Sequence, residues 1–251
     1  MWVTAYLFPE LPLWVALIMQ QRLSVTAVTM KGTNKMSPNE SMISARDALE
    51  RLRAGNRRFV SEDRAGDALT NQARRQALAA GQEPFAIVLG CSDSRVPAEI
   101  VFNQGLGDLF VIRVAGNIVA PSQIASVEFA AERSGTRLVV VLGHSRCGAV
   151  LATLEELGRP SQDQSRNLHA IVDRIRPAVE PLLGTDLGRD PDALVHQCVR
   201  ANVRMSANQL RHGSEILEQL IQKDGLQVVG AEYSLDTGVV EFFDGVPPAA
   251  G

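Results

Sequence analysis

The sequence predicts an α/β fold: a central, mostly parallel sheet flanked by helices and ending in an antiparallel hairpin. Three observations predict it. Short apolar runs at 85–89, 109–114 (interrupted only by Arg113) and 138–142 read as strands buried on both faces. Stretches with helical spacing or helix-capping residues lie between and after them. Two strand-like runs, 226–234 and 239–243, close the chain around the turn signal Leu235-Asp-Thr-Gly238.

In chain order, residues 1–43 stand apart from the rest. Met1 to Gln20 is apolar and holds both tryptophans, Trp2 and Trp14. The first charge is Glu10 and the first basic residue Arg22, so the positive start of a secretory signal is missing. Pro9, Glu10 and Pro12 break the run before it could span a bilayer. The segment reads as a poorly ordered extension and linker, or as an over-long start ahead of Met36 or Met42. A cleaved or anchoring segment is the alternative. Ser44-Ala-Arg-Asp47 then opens a helix over 44–60, with Leu49, Leu52 and Phe59 on one stripe. A second helix near 70–80 stops at Gly81. Pro121 opens a third, which ends before Gly135. Helices follow at 148–157, 166–183 and 191–223, the last with a break at Gly213. One domain over 44–246 with a short 247–251 tail is the economical organisation.

Composition narrows the function classes. With 45% hydrophobic and 21% charged residues, the 251-residue chain is neither disordered nor a disulfide-stapled miniprotein. A formal charge of −3 supplies no basic field for nucleic acid or an anionic membrane. Three cysteines cannot all pair, which fits a reducing compartment or a metal site. A cytoplasmic protein is the expectation.

The chemistry concentrates at strand ends. In open α/β sheets the binding groups gather where strands end and loops form a crevice. Cys91 follows the 85–89 strand, His144 follows the 138–142 strand, and Cys147 lies three residues further on. If those strands are neighbours, all three emerge on one edge. Two thiolates and an imidazole suit Zn²⁺ and leave a fourth position open, as in catalytic rather than structural sites. Asp93 and Arg95 stand two and four residues after Cys91, where an arginine would keep the carboxylate ionised and fixed.

Cys91-Ser-Asp93-Ser-Arg95 and His144-Ser-Arg-Cys147-Gly148, with Phe110-Val-Ile-Arg-Val-Ala-Gly-Asn117 between them, resemble the β-class carbonic anhydrases over roughly residues 44–245. The resemblance implies one Zn²⁺ per chain on Cys91, His144 and Cys147, with the Asp93–Arg95 dyad beside it. It also implies reversible hydration of CO₂ to bicarbonate and a proton by attack of zinc-bound hydroxide. Gln82 matches a glutamine that hydrogen-bonds substrate, Phe110 and Phe129 match pocket positions, and Gly116 falls where the family backbone passes the metal. Dimers or dimer pairs are the family's assemblies, which gives the 44–60 helix a dimer role; its apolar stripe could equally cover its own sheet.

Other readings rank lower. Cys198 could close a structural site, but its place in His196-Gln-Cys-Val-Arg-Ala201 is explained by burial in an apolar helix stripe. Hydrolysis of a CO₂ analogue, CS₂ or COS, is the nearest enzymatic rival. No Cys-x-x-Cys pair supports a thiol redox role. His169, His196 and His212 fall on predicted helices as surface or packing histidines. One departure from the family carries a prediction. A tryptophan that helps some members form an inhibitory bicarbonate site is Val88 here, although Arg113 of that site is present. Crystals soaked in bicarbonate are expected to show none beside Arg113, and bicarbonate bound there would refute this.

Overall fold

The computed structural model describes residues 43–63, 69–158 and 166–248. The expected N-terminal extension, apart from Ile43, and the end of the C-terminal tail lie outside the described residues.

Five strands form one sheet in the order β2-β1-β3-β4-β5. They span Ala86–Gly90 (β1), Leu109–Arg113 (β2), Leu138–His144 (β3), Gln227–Tyr233 (β4) and Val240–Asp244 (β5). The first four run parallel, and β5 pairs antiparallel with β4 as the predicted hairpin. Every residue of β1 and β3 is buried, which explains the uninterrupted apolar runs. Each large side chain so buried contributes roughly 1.5–3 kcal/mol.

The helices are α1 (Ala45–Val60), α2 (Gln72–Leu78), α3 (Ala98–Val101), α4 (Pro121–Arg133), α5 (Gly148–Gly158), α6 (Arg166–Leu183), α7 (Pro191–His212) and α8 (Glu215–Lys223). Ser44 caps α1 by accepting from the Asp47 N–H, as its sequence signal predicts. The break expected at Gly213 is real. Ser214 starts α8 by accepting from the Leu217 N–H, while its own hydroxyl donates to Glu128 on α4. The four-residue α3 had no readable periodicity, being too short to show one.

Two cores sandwich the sheet. On one face Leu49 and Leu52 of α1 pack with Phe102, Val88, Val140 and Val229. The α1 stripe therefore covers its own sheet. On the other face Val127 of α4, Val203 and Leu210 of α7, and Leu217 of α8 cover Ile87, Leu89, Val139 and Val141. Gly143 lets α7 approach β3, since a Cβ there would sit 2.5 Å from a Val203 methyl. A third core lies beyond the carboxyl ends of the strands, where α5, α6 and α7 surround Cys91, Cys147 and Cys198.

Polar clamps fix the periphery. Asn56 donates to the Val101 and Gly238 carbonyls and accepts from the Val240 N–H, tying α1 to α3 and the hairpin. Helix α2 buries no residue; Arg74 anchors it through the Leu106 carbonyl and the Asp108 carboxylate, which also binds Arg51 of α1. Leu52 is wholly buried and Leu106 41% exposed. Replacing Leu52 by Ala is expected to cost about 2–5 kcal/mol in chemical denaturation. Leu106→Ala should stay within about 0.5 kcal/mol.

Candidate metal centre

The parallel register of β1 and β3 sets Leu89 opposite Val141 and Gly90 opposite Leu142. Both strands therefore deliver the following residues to one edge: Cys91 from β1, and His144 at the end of β3. A tight turn carries the chain from His144 to Cys147, with Arg146 in the left-handed region at φ 55°. Cys147 precedes the first turn of α5, and its carbonyl accepts from the Leu151 N–H. The ligand atoms of Cys91, His144 and Cys147 all lie within 4.8 Å of one another, and all three residues are buried.

Backbone geometry prepares each donor. The Cys91 sulfur receives the Gly116 N–H at 3.4 Å, and the nearby Asp93 backbone N–H also favours its thiolate. The Ala149 and Val150 N–H groups at the start of α5 favour the Cys147 thiolate. His144 Nδ1 lies 3.0 Å from the Ser145 carbonyl oxygen. A carbonyl only accepts, so Nδ1 carries the proton and Nε2 presents its lone pair. Among the described residues that Nε2 has no hydrogen-bond partner, in a side chain 0% exposed. Such an atom is costly unless something binds it.

Charge relations among the three point the same way. A hydrogen bond from Cys147 holds Cys91 as the thiolate, with its pKa pulled down to about 4 against the opposing effect of burial. Cys147 is pushed up, first by giving that hydrogen bond to Cys91 and then by burial. Burial resists charge on His144, yet the Cys91 thiolate beside it outweighs this and raises its pKa. Without a cation only one sulfur is easily ionised; a divalent ion would let both be thiolates. The donor set and the unpartnered Nε2 thus fit Zn²⁺.

Asp93 stands at the open side. Its Oδ2 lies 3.8 Å from His144 Nε2. Arg95 grips both carboxylate oxygens, Nε to Oδ1 at 2.9 Å and Nη2 to Oδ2 at 2.7 Å, and its backbone N–H adds a bond at 3.0 Å. The Arg95 hydrogen bonds hold the Asp93 carboxyl well below the usual carboxylate range. Arg113 donates to the Cys91 and Asp93 carbonyls, so it braces the loop that carries both. Gly116 lies in a short 3₁₀ turn, Ala115–Asn117, at φ 71°. A Cβ there would come within 2.9 Å of Ile175 and Ala149 side-chain atoms, so glycine is required.

Six of the nine residues singled out from the sequence meet in this cluster: Cys91, Asp93, Arg95, Gly116, His144 and Cys147. Gln82 precedes β1 and is exposed at the strand's opposite end. Phe110 sits within β2 opposite Ile87 and packs on Phe129, 54% exposed on α4, with ring centroids 6.3 Å apart. Within one chain these three stand apart from the ligands. Cys198 is a free, buried thiol on α7 outside the ligand trio, and burial raises its pKa. Sequence reasoning missed Asn202, which donates to the Gly116 carbonyl at 2.8 Å. Its signal was a polar residue on the buried stripe of α7.

The fold and the site define a class: a parallel α/β scaffold with a buried Cys-His-Cys donor set left open beside a carboxylate. A family model described as carbonic anhydrase matches residues 86–240. Carbonic anhydrase 2 of Mycobacterium tuberculosis is 37% identical over 201 residues, covering 80% of this chain and 92% of the relative. The Mycolicibacterium smegmatis carbonic anhydrase is 38% identical over 207 residues, covering 81% and 94%. A crystal structure of a β-carbonic anhydrase from Aspergillus fumigatus superposes with a TM-score of 0.62 at 27% identity, over 80% of this chain and 91% of that one. The chain belongs to the β-carbonic anhydrase family.

Metal analysis is expected to return one zinc per chain, with Cys147→Ser losing most of it. Zinc binding displaces protons from the thiols and competes with one at His144. Affinity measured by chelator competition should therefore weaken as pH falls from about 8 to about 6. Affinity independent of pH would contradict the ligand assignment.

Proposed function

We propose that the protein catalyses the reversible hydration of CO₂ to bicarbonate and a proton at the Cys91, His144 and Cys147 centre. The observation that carries this is the unpartnered His144 Nε2, grouped with two sulfurs and 3.8 Å from a carboxylate that Arg95 holds in place. Cys91 Sγ, His144 Nε2 and Cys147 Sγ would hold the metal. When bound, zinc acts as a Lewis acid that lowers the pKa of water from ~15.7 toward ~7, less strongly where two thiolates cancel its charge.

The chain's own groups supply orientation. An ionised Asp93 is acceptor-only. It can take the O–H of the attacking water and turn the oxygen lone pair toward CO₂. Arg95 fixes that carboxylate and keeps it from rotating onto the metal. Because its pKa is held so low, Asp93 is a poor proton carrier at neutral pH. It orients the nucleophile, and the released proton must leave to solvent or buffer by another group.

We infer a homo-oligomer, a dimer or a pair of dimers. The reading is supported by Gln82, Phe110 and Phe129, which stand away from their own chain's ligands and would complete a neighbour's substrate pocket. Helix α2, with no buried residue, and Phe129, 54% exposed, offer surface for such contacts. A reducing, cytoplasmic setting is supported by three free cysteines, two of them needed as thiolates. Among the described residues no helix is long and apolar enough to cross a membrane.

Stopped-flow CO₂ hydration tests the reaction. Wild type should turn over with a rate that rises from about pH 7 to about pH 9, as expected for a weakly acidified water. Cys147→Ser should be inactive. Arg95→Ala should lose about 10–100-fold in kcat/KM while keeping its zinc. Stoichiometric zinc without hydration would overturn the proposal.

A further inference from the structure

The Cys91 sulfur draws a hydrogen bond from far along the chain. Gly116, 25 residues after Cys91, donates its N–H to the Cys91 sulfur at 3.4 Å. That peptide belongs to a turn with two successive left-handed residues, Gly116 at φ 71° and Asn117 at φ 44°. Asparagine is among the non-glycine residues that tolerate this region best. Here Ile175 and Ala149 press on Gly116 from α6 and α5, and Asn202 of α7 donates to its carbonyl at 2.8 Å.

Packing does not explain Asn202. It is 1% exposed on a stripe otherwise built from Cys198, Val199, Val203, Ala207 and Leu210, with the small Ser206 as the one other polar member. Its Oδ1 is buried with no hydrogen-bond partner among the described residues. An unsatisfied buried amide oxygen is a net cost that an apolar side chain would avoid. Among the described residues, its one side-chain hydrogen bond is the one to the Gly116 carbonyl.

We propose that Asn202 is a positioning residue of the metal centre: by fastening Gly116, it keeps the Gly116 N–H on the Cys91 sulfur and so sets how strongly that thiolate donates to the metal. A hydrogen bond to a thiolate withdraws charge from sulfur, and such outer contacts tune metal affinity and ligand strength. Asn202 touches neither metal nor substrate. Its effect runs through one peptide group.

The proposal rests on Cys91 being a metal ligand, and the test separates the two claims. Asn202→Leu removes the donor at similar size, and Asn202→Ala removes it with less bulk. In both, cobalt-substituted protein should show its thiolate-to-cobalt charge-transfer band moved to lower energy. Zinc affinity by chelator competition should fall about 10–100-fold. In wild type loaded with an NMR-active cadmium isotope, the Gly116 amide proton should show scalar coupling to the metal through the Cys91 sulfur; that coupling should vanish in the variants. Folded variants with an unchanged band and affinity overturn the proposal, as does a wild type lacking the coupling. Failure of both variants to fold also overturns it, because core packing would then account for the residue. Wild type that binds neither zinc nor cadmium would instead refute the ligand assignment itself.

Discussion

The parallel pairing of β1 with β3 is the constraint on which the site depends. Leu89 opposite Val141 and Gly90 opposite Leu142 place the exits of two strands side by side. Cys91 and His144 then project from one edge although 53 positions separate them in sequence. Without that register, His144 and Cys147 would be two ligands on a turn, too few to hold zinc firmly. Closing so long a loop costs entropy, and burial of both strands on both faces offsets it. The same apolar runs that specify the sheet thereby assemble the centre.

Placing two sulfurs and an imidazole together in a buried space creates an electrostatic conflict. Cys91 is held as a thiolate at the expense of Cys147, which keeps its proton. The Gly116 N–H eases the charge on the Cys91 sulfur, and the Ser145 carbonyl selects the histidine tautomer. A divalent cation resolves the rest. The Asp93–Arg95 pair sits just outside this shell, its charges balancing one another within hydrogen-bond distance. Arg113 braces the loop beneath them through backbone carbonyls. Each group thus answers a cost raised by its neighbour, and the low-dielectric setting makes those answers matter.

The third core supports this arrangement mechanically. Ile175, Val179, Val150 and Val199 close around the cysteines from three helices. Beside the centre, Gly116 and Gly143 are two points of close backbone approach, one against α5 and α6 and the other against α7. Cys198 belongs to this packing, as its apolar helical spacing implies. Rigid surroundings of this kind let a small donor set hold its geometry before metal arrives.

By itself the sequence determined the strands and the longer helices, because strand burial and helix capping are local properties written in periodicity and turn residues. It likewise singled out Cys91, Asp93, Arg95, His144 and Cys147, which the structure brings together, since ligand chemistry and spacing from a strand end are also local. Only the tertiary structure decided that the α1 stripe covers its own sheet and that β1 and β3 are neighbours. It alone joined Asn202 to Gly116, 86 residues away, and set Gln82 at the far end of β1 from the ligands. The physical reason is the same in each case. A contact between distant segments depends on how whole elements pack, and no window of sequence contains both partners.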